Sequence, residues 1–147
     1  MAPIRNGTVI DHITAGQALN VLRILGVNEY NIDSTISVVM HVPSKKMDWK
    51  DVVKVEDREL DTKMVDKIAL IAPKASIVII RDYSVSDKKR VILPKTVRGL
   101  VRCGNPNCIT NKSEPVEPEF AVDSEDPIVL RCIYCDRIQV NITDRLI

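Results

Sequence analysis

The alternation of apolar and polar residues predicts a strand followed by a helix at the start of the chain. Residues 7–13 (GTVIDHI) alternate β-branched and polar side chains, as a half-buried strand does. Thr14 is predicted as the N-cap of a helix that ends at Gly26. The apolar positions that recur along this helix are Ala15, Ala18, Leu19, Leu22 and Leu25.

Three more strands and a second helix are predicted before residue 81. Residues 35–42 (TISVVMHV) and 51–56 (DVVKVE) are β-rich and are separated by a polar turn, so we expect them to form a hairpin. A second amphipathic helix follows Asp61, and residues 75–80 (ASIVII) are typical of a buried strand. The order β-α-β-β-α-β predicts an α+β, ferredoxin-like sandwich, in which a four-stranded antiparallel sheet carries both helices on one face.

The pattern changes near Pro94. Residues 81–90 (RDYSVSDKKR) are polar and basic, and we predict two domains, 1–93 and 94–147. Strand-like segments in the second are 98–102, 119–122, 128–131 and 137–142. About fifty residues with so few apolar side chains need a staple to be stable. The second half is therefore predicted to be a small antiparallel β domain.

All four cysteines lie in this second half and are spaced as two chelating pairs. Cys103 and Cys108 stand in CGNPNC, and Cys132 and Cys135 in CIYC. Two tight turns joined by a hairpin can supply the four thiolates of a tetrahedral zinc site, which leaves no open position for catalysis. The pattern favours one structural Zn²⁺. Free or disulfide-bonded thiols and a rubredoxin-like iron site are the alternatives.

Composition and motifs narrow the function classes. The 147 residues include 21 basic and 20 acidic side chains, so a general polyanion binder is not expected. Neither a membrane-spanning run nor a signal peptide is recognisable, and we expect a cytoplasmic protein without membrane contact. The two histidines, His12 and His41, suggest no catalytic arrangement, and no phosphate-loop or dinucleotide motif occurs. We expect no enzyme activity from the chain itself.

Several motifs together resemble the regulatory chain of aspartate carbamoyltransferase. They are GTVIDHI at 7–13, VPSKK and DVVKVE within 42–56, CGNPNC and CIYC, and the likeness covers essentially the whole chain. The resemblance implies a nucleotide-binding allosteric domain and a zinc domain that contacts the catalytic chain, neither of them catalytic. It also implies homodimers through the N-terminal domain that bridge catalytic trimers. In such assemblies CTP, UTP and ATP compete for one site.

The resemblance also assigns the nucleotide site residue by residue. Asp11 matches a ribose-contacting aspartate, and His12 matches a residue beside the phosphates. Lys54 matches the lysine that reaches base and ribose, whereas Lys88 and Arg90 match cations around the triphosphate. The positions that match the lining of the base are Ile4, Ile80, Tyr83 and Val85.

The sequence departs from the family pattern at one position of the nucleotide site, and the resemblance also assigns residues of the partner interface. Better-known members often carry Asn where this chain has Val78, which cannot supply the same hydrogen bond. Asn105 and Asn107 match positions that hydrogen-bond the catalytic chain. Tyr134 and Arg137 are candidate interface residues, because Tyr and Arg are enriched at binding hot spots.

Two other function classes fit parts of the sequence. Four thiolates and local basic residues permit a nucleic-acid-binding zinc ribbon with an appended α/β module. A net charge of +1 and 3% aromatic residues, which leave few side chains for base stacking, speak against it. A rubredoxin-like electron carrier is the third class.

Overall fold

The chain divides into two compact units, each built on its own antiparallel sheet. The structure is a computed structural model that describes residues 3–26, 34–113 and 116–147. The first unit is Met1–Ile92 and the second is Leu93–Ile147. Within the described ranges, no helix is long and apolar enough to cross a membrane.

The first unit has the predicted ferredoxin-like order. Its elements are β1 (Gly7–Thr14), α1 (Ala18–Ile24), β2 (Ile36–Ser44), β3 (Asp48–Glu56), α2 (Thr62–Ile71), β4 (Ser76–Arg81) and β5 (Ser84–Arg90). The strands lie in the order β2-β3-β1-β4-β5, and all neighbours are antiparallel. The hairpin of β2 and β3 is confirmed. The helices α1 and α2 contact each other, which places both on one face of the sheet.

The strand β5 extends the sheet beyond the four predicted strands. The sequence pattern treats residues 81–90 as a polar connection, which is wrong for Ser84–Arg90 because this segment pairs with β4. All seven of its residues are exposed. No apolar alternation therefore signals the strand, and backbone pairing with β4 forms it. Its run of basic residues protects the edge from further pairing.

Side-chain alternation divides the sheet into a covered face and an open face. Residues paired across antiparallel strands point to the same side. Covered-face side chains that are at most 2% exposed are Thr8, Ile10, Val53, Val55 and Ile77. Here α1 packs against β3 and α2. On the opposite side, which we call the open face, Val9, Lys54 and Val78 are only half-buried.

The helix α1 begins later than predicted. Thr14 is not its N-cap but the last residue of β1, where it pairs with Lys50. The helix begins at Ala18, so its buried positions are Ala18, Val21 and Leu25. Two predicted apolar positions are exposed, Ala15 before the helix and Leu19 at 61%. The helix α2 has its own N-cap, since the Asp61 side chain accepts the N–H of Met64 at 2.8 Å.

A buried carboxyl group, Asp51, replaces the missing cap. Its Oδ2 accepts the N–H groups of Gly16 (3.0 Å) and Ala18 (3.1 Å) at the start of α1, and its Oδ1 accepts that of His41 (2.8 Å). His41 lies in an irregularity of β2 and His12 in one of β1, each with φ of +56°. Asp51 therefore fixes the β1–α1 turn and the β2 bulge together.

The second unit is a four-stranded antiparallel sheet with a small core. Its strands are β6 (Thr96–Arg98), β7 (Glu119–Glu125), β8 (Ile128–Cys132) and β9 (Ile138–Gln139), in that order. The predicted strand 98–102 is displaced, because Gly99 at φ +71° ends β6. The predicted strand 137–142 is shortened, since Asn141 adopts a left-handed conformation before a 3₁₀ turn. Phe120, Leu130 and Val101 are fully buried.

We predict that Asp51→Asn destabilises the first unit by about 3 kcal/mol, because an amide offers one buried acceptor oxygen where three N–H groups need two. Trp49, the only tryptophan, lies beside Asp51 on β3, so its fluorescence in a urea titration reports this unit. Asp48→Asn, at an exposed position of the same strand, is the control. A change below about 0.5 kcal/mol for Asp51→Asn would contradict the assigned role.

Candidate metal centre and anion site

The four cysteines of the second unit form one cluster. The Sγ atoms of Cys103 and Cys135 are 3.7 Å apart, as are those of Cys108 and Cys132, and all four lie within 4.8 Å of one another. Four sulfurs about 2.3 Å from a common centre are about 3.8 Å apart in a tetrahedron. The cluster therefore has the dimensions of a tetrahedral thiolate site for a metal ion.

Local turns and burial set the protonation of these thiols. Burial raises the pKa of Cys103 to about 12, and it also raises the pKa of Cys132. Burial acts in the same direction on Cys135, but hydrogen bonds from the Arg137 N–H and the Asn105 side chain outweigh it and lower that pKa to about 7. A metal ion must displace the retained protons, so its affinity rises with pH.

The four predicted interface residues surround this cluster in different ways. Asn105 is turned inward: its Oδ1 accepts the Asn107 N–H at 3.0 Å, and its own N–H points to Cys103 Sγ at 3.5 Å. Asn107, Tyr134 and Arg137 are exposed. The surface beside the metal centre thus presents these three residues, while Asn105 shapes the loop beneath.

On the first unit, the register of the sheet aligns two predicted cations in one row on the open face. Lys54 of β3 pairs with Val9 of β1, Val9 pairs with Val78 of β4, and Val78 pairs with Lys88 of β5. Paired residues share a face, so both lysines and the valines between them project to the same side. The departure at Val78 lies in the middle of this row.

The neighbouring rows bring further predicted residues to the same face. Asp11 pairs with Ser76 and Ser76 with Arg90, two positions along from the first row. On its other side, Ile80 pairs with Val85, which is 60% exposed. The basic groups therefore lie toward one end of the open face, whereas the row at the other end holds Ile80 and Val85 together with Glu56.

Two of the predicted base-lining residues lie elsewhere. Ile4 is only 7% exposed, so its side chain belongs to the core and only its backbone could serve a ligand. Tyr83 is 69% exposed in the turn between β4 and β5, where its N–H bonds the Arg5 carbonyl at 2.9 Å. Neither side chain joins the rows of the open face.

A lysine that the sequence analysis missed completes the charged end. The Nζ of Lys50 lies 2.9 Å from Asp11 Oδ1, which also accepts the His12 N–H at 2.7 Å. Burial raises the pKa of Asp11, but the Lys50 hydrogen bond, the His12 N–H and the electrostatic contributions of the His12 and Lys50 side chains outweigh it and lower the pKa below its usual value. The sequence did contain a signal for Lys50: it lies four residues before Lys54, and residues at even spacing along a strand point to the same face.

The imidazole of His12 is held in a positive environment. Burial lowers its pKa, and the charges of Lys50, Lys46 and Lys88 lower it further, against an opposing contribution from Asp11. Lysines from a loop and two different strands thus act on one histidine. The charged end can therefore attract an anion, whose arrival would favour protonation of His12.

Comparisons with known proteins cover both units. Residues 1–92 match the family described as "Aspartate carbamoyltransferase regulatory chain, allosteric domain", and residues 95–142 match its "metal binding domain". A protein of Methanothrix thermoacetophila named aspartate carbamoyltransferase regulatory chain is 58% identical over 92% of this chain and 87% of its own length. Relatives of the same name from Methanocella arvoryzae (58% identical; 99% and 94%) and Thermofilum pendens (54%; 98% and 92%) cover nearly all of both chains.

We predict that stripping the metal from the full chain with a chelator under reducing conditions unfolds the second unit alone. Its small core lacks the stability to replace a metal contribution on the order of 10 kcal/mol. In a ¹H–¹⁵N spectrum, amides of β6–β9 should collapse to unfolded shifts, whereas those of β1–β5 should stay in place. Dispersed β6–β9 signals in the demonstrably metal-free chain would contradict a structural role for the metal.

Proposed function

The chain belongs to the family of aspartate carbamoyltransferase regulatory chains, and we propose that it binds nucleoside triphosphates on the open face of its first unit. The effectors are CTP, ATP and UTP. Through them the chain controls the partner catalytic chains of pyrimidine biosynthesis allosterically and performs no chemistry of its own. The observation that carries this proposal is the convergence of Lys54 from β3 with Lys88 and Arg90 from β5 on one uncovered face.

Each part of a nucleotide has a complementary region there. Lys88, Arg90 and His12 supply charge for the triphosphate, since charge-assisted hydrogen bonds are the strong ones. The Asp11 carboxylate can accept hydrogen bonds from ribose hydroxyls, and Lys54 reaches base and ribose. Ile80 and Val85 offer apolar contact to the base, with backbone groups of Ile4 and Tyr83 to read its edge. Val78 contributes no polar group, so backbone contacts would set base preference.

The second unit is proposed to connect the chain to its catalytic partner. A structural Zn²⁺ held by the four cysteines would fix the two cysteine loops, and the exposed Asn107, Tyr134 and Arg137 would contact the catalytic chain. Two apolar neighbours support this surface: Ile109 and Ile133 are 45% and 46% exposed beside the cluster. Exposed aromatic, arginine and aliphatic side chains together are typical of an interface core.

A homodimer through the first unit is proposed to use the β2 edge of the sheet. Among the described residues, β2 and β5 form the two edges of this sheet. A two-fold axis at the β5 edge would place its Lys88–Arg90 run against an identical run, which is destabilising. The β2 edge instead presents Met40, which is 43% exposed. An uncharged edge is the one able to extend the sheet into a second copy.

We predict that Lys88→Ala weakens CTP and ATP binding to the metal-loaded chain by about tenfold, because it removes one charge-assisted contact. Lys89→Ala is a matched control, since Lys89 pairs with Ile77 and so points to the opposite side of the same strand. Calorimetric titration should show saturable binding to the wild type and to Lys89→Ala, with less than a twofold difference between them.

Two results would contradict this site. One is the absence of CTP and ATP binding to the folded wild-type chain. The other is an equal loss in both lysine variants, which would indicate attraction by net charge instead of a site on the open face.

A further inference from the structure

The side-chain amide of Gln139 is buried between the two cysteine loops, and both its oxygen and its nitrogen have hydrogen-bond partners. It is 3% exposed, and its Oε1 accepts the Gly104 N–H at 2.8 Å. Its Nε2 donates to the Arg137 carbonyl at 3.2 Å and lies 3.6 Å from Cys103 Sγ. One side chain therefore links the loop of Cys103 and Cys108 to the loop of Cys132 and Cys135.

We propose that Gln139 is a positioning residue of the metal centre, which holds the two cysteine loops together and donates an N–H to the Cys103 sulfur. Four thiolates around a divalent ion leave net negative charge on the sulfurs, and N–H donors offset it. Because the link to Gly104 and Arg137 does not pass through the metal, it adds to the metal in holding the two loops of the folded unit together. This role rests on metal binding by the four cysteines and does not depend on nucleotide binding.

The loop of the first cysteine pair is shaped to admit this amide. A Cβ atom at Gly104 would lie only 2.9 Å from Gln139 Oε1, so the bare backbone there permits the close approach. A local donor serves the same pair, since Thr110 Oγ1 lies 3.2 Å from Cys108 Sγ. Thr110 is two residues from its cysteine, whereas Gln139 reaches Cys103 from β9. Gln139 alone of the two can therefore brace one loop against the other.

The test compares the full-length, zinc-loaded chain with Gln139→Met and Gln139→Glu. The Met variant keeps side-chain length and removes every hydrogen bond; the Glu variant keeps an acceptor for Gly104 but loses the donor to sulfur. Gln17→Glu, the same change at the other glutamine of the chain, is the matched control in the first unit. Two quantities are measured: the rate of zinc loss to excess chelator, and the thiolate-to-cobalt charge-transfer band of the Co²⁺-substituted protein.

We expect both Gln139 variants to lose zinc about tenfold faster than the wild type, as outer hydrogen-bond partners of metal ligands do, and Gln17→Glu to match the wild type. The charge-transfer band should move to lower energy in Gln139→Met, because a sulfur without its N–H donor holds its electrons less tightly. Wild-type rates of zinc loss in both variants would overturn the proposal, and so would an unmoved cobalt band. If Gln139→Met fails to fold, the rate of zinc loss from Gln139→Glu alone tests the proposal.

Discussion

The alternation of side chains across the five-stranded sheet is the constraint on which the first unit depends. Two helices can cover only one face, so alternate residues of the inner strands β1, β3 and β4 point to the core side and their neighbours to the open face. Ile10, Val53 and Ile77 occupy the first set, and Val9, Lys54 and Lys88 the second. The same register that builds the hydrophobic core thus assembles the cationic surface, because shifting one strand by a residue would exchange the two sets.

Buried polar side chains fix the positions of turns and loops, which the alternation of strand residues does not determine. Asp51 ties the start of α1 to the bulge of β2, beside the strand segment that carries Asp11 and His12. Gln139 performs the corresponding task in the second unit, between the two cysteine loops. Each is a buried side chain whose partners are far apart in sequence. Satisfied groups of this kind specify one arrangement, since a shifted one would leave donors unpaired.

Local patterns were sufficient where a structural element carries its own signal. The apolar patterns of the strands and helices predicted the β-α-β-β-α-β order along the chain, and the spacing of the cysteines predicted their clustering because chelation requires short turns. The strand β5 could not be predicted, since all its residues are exposed and only pairing with β4 forms it. The start of α1 could not be predicted either, because its acceptor is Asp51, 33 residues from Ala18. Lys50 joined the candidate site only once strand register was known.

If the chain regulates as proposed, an effector on the open face changes the behaviour of a catalytic partner held through the metal-binding unit. The most direct measurement is the aspartate saturation curve of catalytic chains assembled with this chain, with and without saturating CTP or ATP. We expect the aspartate concentration at half-saturation to change by about fivefold or more with at least one nucleotide, the range of ordinary allosteric coupling. An intact assembly that binds nucleotide and leaves the aspartate curve unmoved would contradict it.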